Sequence, residues 1–127
     1  MRSYRALISS TLDSLEPPGD QRLAASVLEP AFVHPLFQRV LIDVVRSRGN
    51  NMPVIFDEFF VRLYRLGMQS ATAVLGTNPD IAVYAKIFTS GVLPLAVTLT
   101  TDKIYKAFLG QDKATARGHS YTAHAWV

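Results

Sequence analysis

Three short apolar runs, each closing on a charged side chain, constrain this chain more than any other feature it has. Residues 23–28 (LAASVL) are closed by Glu29-Pro30, residues 53–56 (PVIF) by Asp57-Glu58, and residues 81–85 (IAVYA) by Lys86. Runs this brief and this apolar fit strands covered on both faces, as in a parallel sheet, because a helix needs ten or more residues and a polar side. Between the first two runs, Phe37, Val40, Leu41, Val44 and Val45 form a stripe at helical spacing. Gln38, Arg39, Asp43, Arg46 and Arg48 fall mostly off that stripe, Pro35 suits a first turn and Gly49 an end. A short helix is expected over 69–75, before Gly76-Thr77-Asn78-Pro79 turns the chain into the third run.

Outside this block, Tyr4, Leu7, Ile8, Leu12 and Leu15 predict a leading helix stopped by Pro17-Pro18-Gly19. A further strand is expected over 95–100, and Asp102 is placed to cap a helix carrying Ile104, Tyr105 and Phe108. The order strand, helix, strand, short helix, strand is that of an α/β fold with a mainly parallel sheet and right-handed crossovers. All 127 residues are read as one domain.

Several function classes are disfavoured. The net charge of +3 comes from scattered basic residues with no dense run, which argues against a nucleic-acid partner. Cysteine is absent and His34, His119 and His124 lack ligand spacing, so no metal site is expected. Asp43, Arg46, Asp57, Glu58, Arg62 and Lys86 interrupt every apolar stretch of membrane-spanning length, and the first residues read as a helix with no leader. With 49% hydrophobic and 18% charged residues, the chain is apolar enough to predict surface hidden in an oligomer or a larger protein.

In parallel sheets ligands sit beyond the carboxyl ends of the strands, the edge to which Glu29, Asp57 and Lys86 are assigned. Two readings of Asp57 and Lys86 stand side by side. One is a structural ion pair at the sheet rim. The other is a binding site in which Lys86 is desolvated at the end of its apolar strand, a setting that disfavours ammonium and leaves a nucleophilic amine.

The stretches VIFDEFF (54–60), RLG (65–67), NPDIAVYAK (78–86), HPLFQRVL (34–41) and GHSYTAHA (118–125) resemble the class III pyridoxal-phosphate-dependent aminotransferases. Within that class the chain is most similar to the diaminopelargonate aminotransferase part of the bifunctional biotin-synthesis enzymes of fungi and plants. The resemblance implies a partial large domain of a fold-type I transferase with pyridoxal 5'-phosphate as cofactor. It implies that Lys86 forms the internal aldimine and shuttles a proton, and that Asp57 pairs with the pyridine nitrogen. It further implies that Ser120 reaches the cofactor phosphate, usually of the neighbouring subunit, and that Glu29 lies near the substrate entrance.

The implied reaction moves an amino group from a small-molecule donor, S-adenosylmethionine, to a keto acceptor, 8-amino-7-oxononanoate, in a homodimer that is mitochondrial or cytoplasmic. The chain departs from the family pattern where Val61-Arg62 replaces a Thr-Gly pair, where Phe59 replaces a smaller aliphatic residue, and at residues 31–33, which replace a longer glycine-containing loop. The family's main phosphate-binding turn and its small domain have no match in these residues. These departures imply an alternative: a catalytically inactive, truncated α/β domain that serves as an interaction surface or has no function.

Overall fold

The computed structural model describes residues 1–16, 18–19, 22–30, 33–49, 51–61, 63–65, 67–86, 89–90, 92–93 and 95–109. Four strands, β1 (Ser26–Leu28), β2 (Val54–Asp57), β3 (Ile81–Tyr84) and β4 (Val97–Thr100), form one sheet in sequential order. The first three run parallel and β4 returns antiparallel to β3. Leu28, Phe56, Ala82 and Leu99 lie in one register row, as do Val27, Ile55, Ile81 and Thr100. Among the described residues four helices accompany the sheet: α1 (Arg2–Leu15), α2 (Pro35–Ser47), α3 (Ala71–Leu75) and α4 (Asp102–Ala107). The α/β architecture and the mainly parallel sheet are those read from the sequence.

The core lies on one face of the sheet. Val54 and Phe56 are fully buried, and Ile42 and Val45 of α2 pack on them together with Leu28, Met52, Val61, Ala71 and Leu75. Burying a side chain of this kind contributes about 1.5–3 kcal/mol, so β2 and α2 hold the largest share of the apolar stabilisation. A second cluster joins Ile8 of α1 to Val40 and Val44 of α2, and the Tyr4 and Phe37 rings meet edge to face with centroids 5.5 Å apart. Helix α2 is therefore packed on two sides. That is why Ile42 and Gln38, both off the single stripe read from the sequence, are buried. The Gln38 amide donates to the Val33 carbonyl at 2.5 Å.

Helix ends follow local chemistry. His34 caps α2 by accepting the Leu36 N–H on Nδ1, and Ser70 caps α3 by accepting the Thr72 N–H. Gly76 closes α3 in the left-handed conformation that an L side chain resists, with its N–H bonded to the Thr72 carbonyl. Thr101, not Asp102, is the N-cap of α4; Asp102 stands in its first turn and pairs with Lys106 at 2.6 Å, as i,i+4 partners do. Arg48, at the end of α2, reaches Asp13 at 2.6 Å and Glu16 at 3.2 Å. The hydrogen bond to Asp13 foremost, then that to Glu16, raises the Arg48 guanidinium above its ordinary pKa.

One expectation is corrected. The strands are not covered on both faces: Val27 is 65% and Leu99 49% exposed. β1 and β4 are the sheet's edges, and the packed cluster of α2 and α3 takes Leu28 from β1 and Val54 and Phe56 from β2. An apolar run alone does not tell a strand clad on two faces from one clad on one.

After β2 the chain turns through Leu63 and Tyr64, which both adopt positive φ, 57° and 65°. Hydrogen bonds from the Leu63 N–H to the Gln69 carbonyl and from the Tyr64 N–H to the Met68 carbonyl hold them there. The left-handed conformation costs an L residue about 1–2 kcal/mol. Tyr64 is 68% exposed, so its ring offsets little of this. Tyr64→Gly is expected to stabilise the fold by about 0.5–1 kcal/mol, read as a higher urea midpoint at unchanged slope; a lower midpoint would show that the ring holds the turn.

Candidate functional site

The pleat of β2 sends its two terminal carboxylates to different places. Val54 and Phe56 point into the core, and Glu58 continues that alternation and is fully buried. Its Oε1 accepts the Ser70 hydroxyl at 3.0 Å and its Oε2 accepts the Ala71 N–H at 2.9 Å. Its own N–H donates to the Val83 carbonyl at 2.9 Å, extending the ladder to β3. Glu58 thus ties the first turn of α3 to the end of β2. Asp57 has the opposite parity and is half-buried at the sheet's carboxyl edge. Its Oδ1 accepts the Phe59 N–H at 3.2 Å, an Asx-turn that fixes the carboxylate against the backbone.

Lys86 arrives from the adjacent parallel strand. Asp57 pairs in register with Val83, and Lys86 follows just beyond the end of β3. Its backbone is left-handed, with φ of 57°, a conformation rarely taken by a residue other than glycine, asparagine or aspartate. The side chain is exposed, and its Nζ lies 3.3 Å from the ring centroid of Phe60 and 5.6 Å from that of Phe59.

The expected desolvated amine at a strand terminus is therefore corrected: the chain leaves the strand before Lys86, and the amine sits on aromatic faces at the surface. The ion-pair reading is set aside as well. The ion pairs among the described residues join Arg48 to Asp13 and Glu16, and Lys106 to Asp102.

Glu29 follows β1 directly and is exposed, with the buried Pro30 behind it. Since β1, β2 and β3 are parallel neighbours, Glu29, Asp57 and Lys86 share one sheet edge, with Asp57 in the middle. Ser120, Arg62, His119 and His124 lie outside the described residues. Among the described residues no group of three potential ligands could hold a metal ion, and no helix is long and apolar enough to cross a membrane. The sequence reading missed Glu58 as an anchor and Phe60 as a partner of Lys86. The period-two continuation from Val54 and Phe56 was the available signal for the first; nothing local marked the second.

No protein-family model matches the chain. Curated relatives do. It is 42% identical, over 96% of its length, to a bifunctional dethiobiotin synthetase/adenosylmethionine-8-amino-7-oxononanoate aminotransferase of Emericella nidulans. It is 44% identical, over 98% of its length, to a bifunctional dethiobiotin synthetase/7,8-diamino-pelargonic acid aminotransferase, mitochondrial, of Arabidopsis thaliana. Among solved structures it superimposes with a TM-score of 0.77 on an (S)-enantioselective omega-transaminase from Thermomicrobium roseum, at 25% identity over 93% of this chain and 28% of that one. The chain is similar to a segment of proteins whose names include an aminotransferase activity. It spans 19% and 16% of the lengths of the two curated relatives, and its fold is like that of the transaminase. The alignment with the Emericella protein runs over 151 positions, more than the 127 residues here, so that relative carries residues without a counterpart in this chain.

The two carboxylates at the end of β2 separate in their expected behaviour. Glu58→Ala leaves a partly buried hydroxyl and a buried N–H without an acceptor and is expected to destabilise by about 3 kcal/mol. Asp57→Asn keeps an acceptor for the Phe59 N–H and is expected to stay within about 0.5 kcal/mol of the parent. Guanidinium unfolding of both variants checks this; equal losses would assign both carboxylates to the scaffold.

Proposed function

We propose that this chain forms the cofactor-holding sheet edge of a pyridoxal 5'-phosphate-dependent aminotransferase, with Lys86 as the amine for the cofactor aldehyde and Asp57 as the carboxylate for its pyridine nitrogen. The observation that carries this reading is the delivery of Asp57 and Lys86 to one edge by adjacent parallel strands, with the backbone of Lys86 held in a strained conformation. Strain at a residue outside the glycine class is characteristic of functional positions. The donor set fits the group: a fixed carboxylate suits a protonated ring nitrogen, and an exposed primary amine suits an aldehyde.

When bound, pyridoxal phosphate supplies an electron sink for negative charge developing at a substrate carbon. The residues of this chain do the rest. The Asp57 carboxylate, oriented by the Phe59 N–H, keeps a proton on the ring nitrogen through a charge-assisted hydrogen bond. Lys86 Nζ anchors the cofactor, and as a free amine it carries the proton between neighbouring atoms. Ser120 is proposed to reach the phosphate of the neighbouring subunit in a homodimer, and Glu29 to border the path of the substrate.

By similarity to the named relatives, the amino donor is S-adenosylmethionine and the acceptor 8-amino-7-oxononanoate, in biotin synthesis. The name of the Arabidopsis relative supports a mitochondrial location; a cytoplasmic one is the alternative. A second reading, an inactive α/β domain acting as an interaction surface, is supported by the exposed Val27, Leu99 and Val92.

One experiment separates the two. The purified chain mixed with pyridoxal phosphate is expected to gain visible absorbance and, after borohydride, a covalent mass increment mapped to Lys86. Lys86→Ala is expected to lose both, and Asp57→Asn to weaken capture about ten- to a hundredfold, the range of one charge-assisted hydrogen bond. A parent chain that traps no cofactor at Lys86 would leave the interaction-surface reading.

A further inference from the structure

We propose that Phe60 is the resting seat of the Lys86 ammonium, so that Lys86 leaves the ring face each time its amine engages an aldehyde. This rests on the cofactor reading above for its purpose, though not for its geometry. The Nζ lies 3.3 Å from the Phe60 centroid, with Phe59 at 5.6 Å on the same amine, both within cation–π range. Phe60 is 43% exposed, so its ring is not spent on the core.

Both partners are pre-aligned by backbone contacts rather than by each other. The turn that carries the two rings is pinned by the Phe59 N–H on Asp57 Oδ1 and by the Glu58 N–H on the Val83 carbonyl. Lys86 is fixed at φ 57°, and its carbonyl accepts the Thr89 N–H at 3.2 Å. A long, freely rotating side chain loses considerable entropy when confined. The contact with Phe60 holds it at rest, and that contact must break before the amine engages an aldehyde. A ring face attracts a cation, so the contact competes with the approach of Lys86 to an aldehyde. Phe60 is in this sense a positioning residue.

The test uses the parent chain, Phe60→Leu, Phe60→Tyr and Lys86→Arg, with carbon-13-labelled lysine. The Lys86 ε-methylene signal, assigned by its loss in Lys86→Arg, is expected to stand upfield of the other lysines because of the Phe60 ring current. It is expected to rejoin them in Phe60→Leu and to stay apart in Phe60→Tyr. Trapping by pyridoxal phosphate and borohydride should be about two- to tenfold faster in Phe60→Leu, the span of an exposed cation–π contact, and near parent in Phe60→Tyr. A parent Lys86 signal among the other lysines, or equal trapping in parent and Phe60→Leu, overturns the proposal. If no variant traps cofactor, the aminotransferase reading falls, and the ring-current shift alone decides whether the seat exists.

Discussion

The two-residue alternation of β2 is the constraint on which the rest of the structure depends. Val54 and Phe56 are sealed under α2 and α3, and the strand is hydrogen-bonded on one side to β1 and on the other to β3. A slip by one residue would expose both side chains and exchange the roles of the two acids that follow. Hydrophobic burial thus decides, without touching either carboxylate, that Asp57 reaches the open edge and Glu58 goes inward. The chemistry available at that edge is a consequence of packing one layer below it.

Glu58 links that edge to the scaffold. Its carboxylate holds Ser70 and Ala71, Ser70 caps α3, and Leu75 at the other end of α3 belongs to the same apolar cluster as Phe56. The turn bearing Phe59 and Phe60 is braced from both ends: through Asp57 at its start, and through the Glu58 contacts with α3 beyond it. Arg46, bonded to Thr77 and Asn78 at 2.5 Å each, steadies the connection that feeds β3. The two strands that deliver Asp57 and Lys86 are each tied to a helix on the covered face of the sheet.

The order and type of the elements were legible in the sequence because each announces itself locally. The apolar runs ending at 28, 56 and 85 are too short for helices, and the stripe from Phe37 to Val45 repeats at helical spacing. What was not legible depends on neighbours distant in the chain. Burial of Gln38 requires knowing that α2 is packed on two sides. Exposure of Val27 and Leu99 requires knowing that β1 and β4 are edges. The surface setting of Lys86 follows from where β3 ends, one residue earlier than the apolar run suggests. Asp57 and Lys86 were singled out because they stand at run ends; Phe60 was not, because its contact with Lys86 joins residues far apart in the chain. Ser120 was reached by resemblance alone.

The left-handed backbone at Lys86 carries one further meaning. Glycine would adopt that conformation without strain and asparagine with little, so either would give a firmer protein at this position. Under the function proposed above, a lysine in its place trades robustness for reactivity, and the amine is the physical reason to keep it. A substitution that firms the fold at this residue would, under that same function, also silence the molecule.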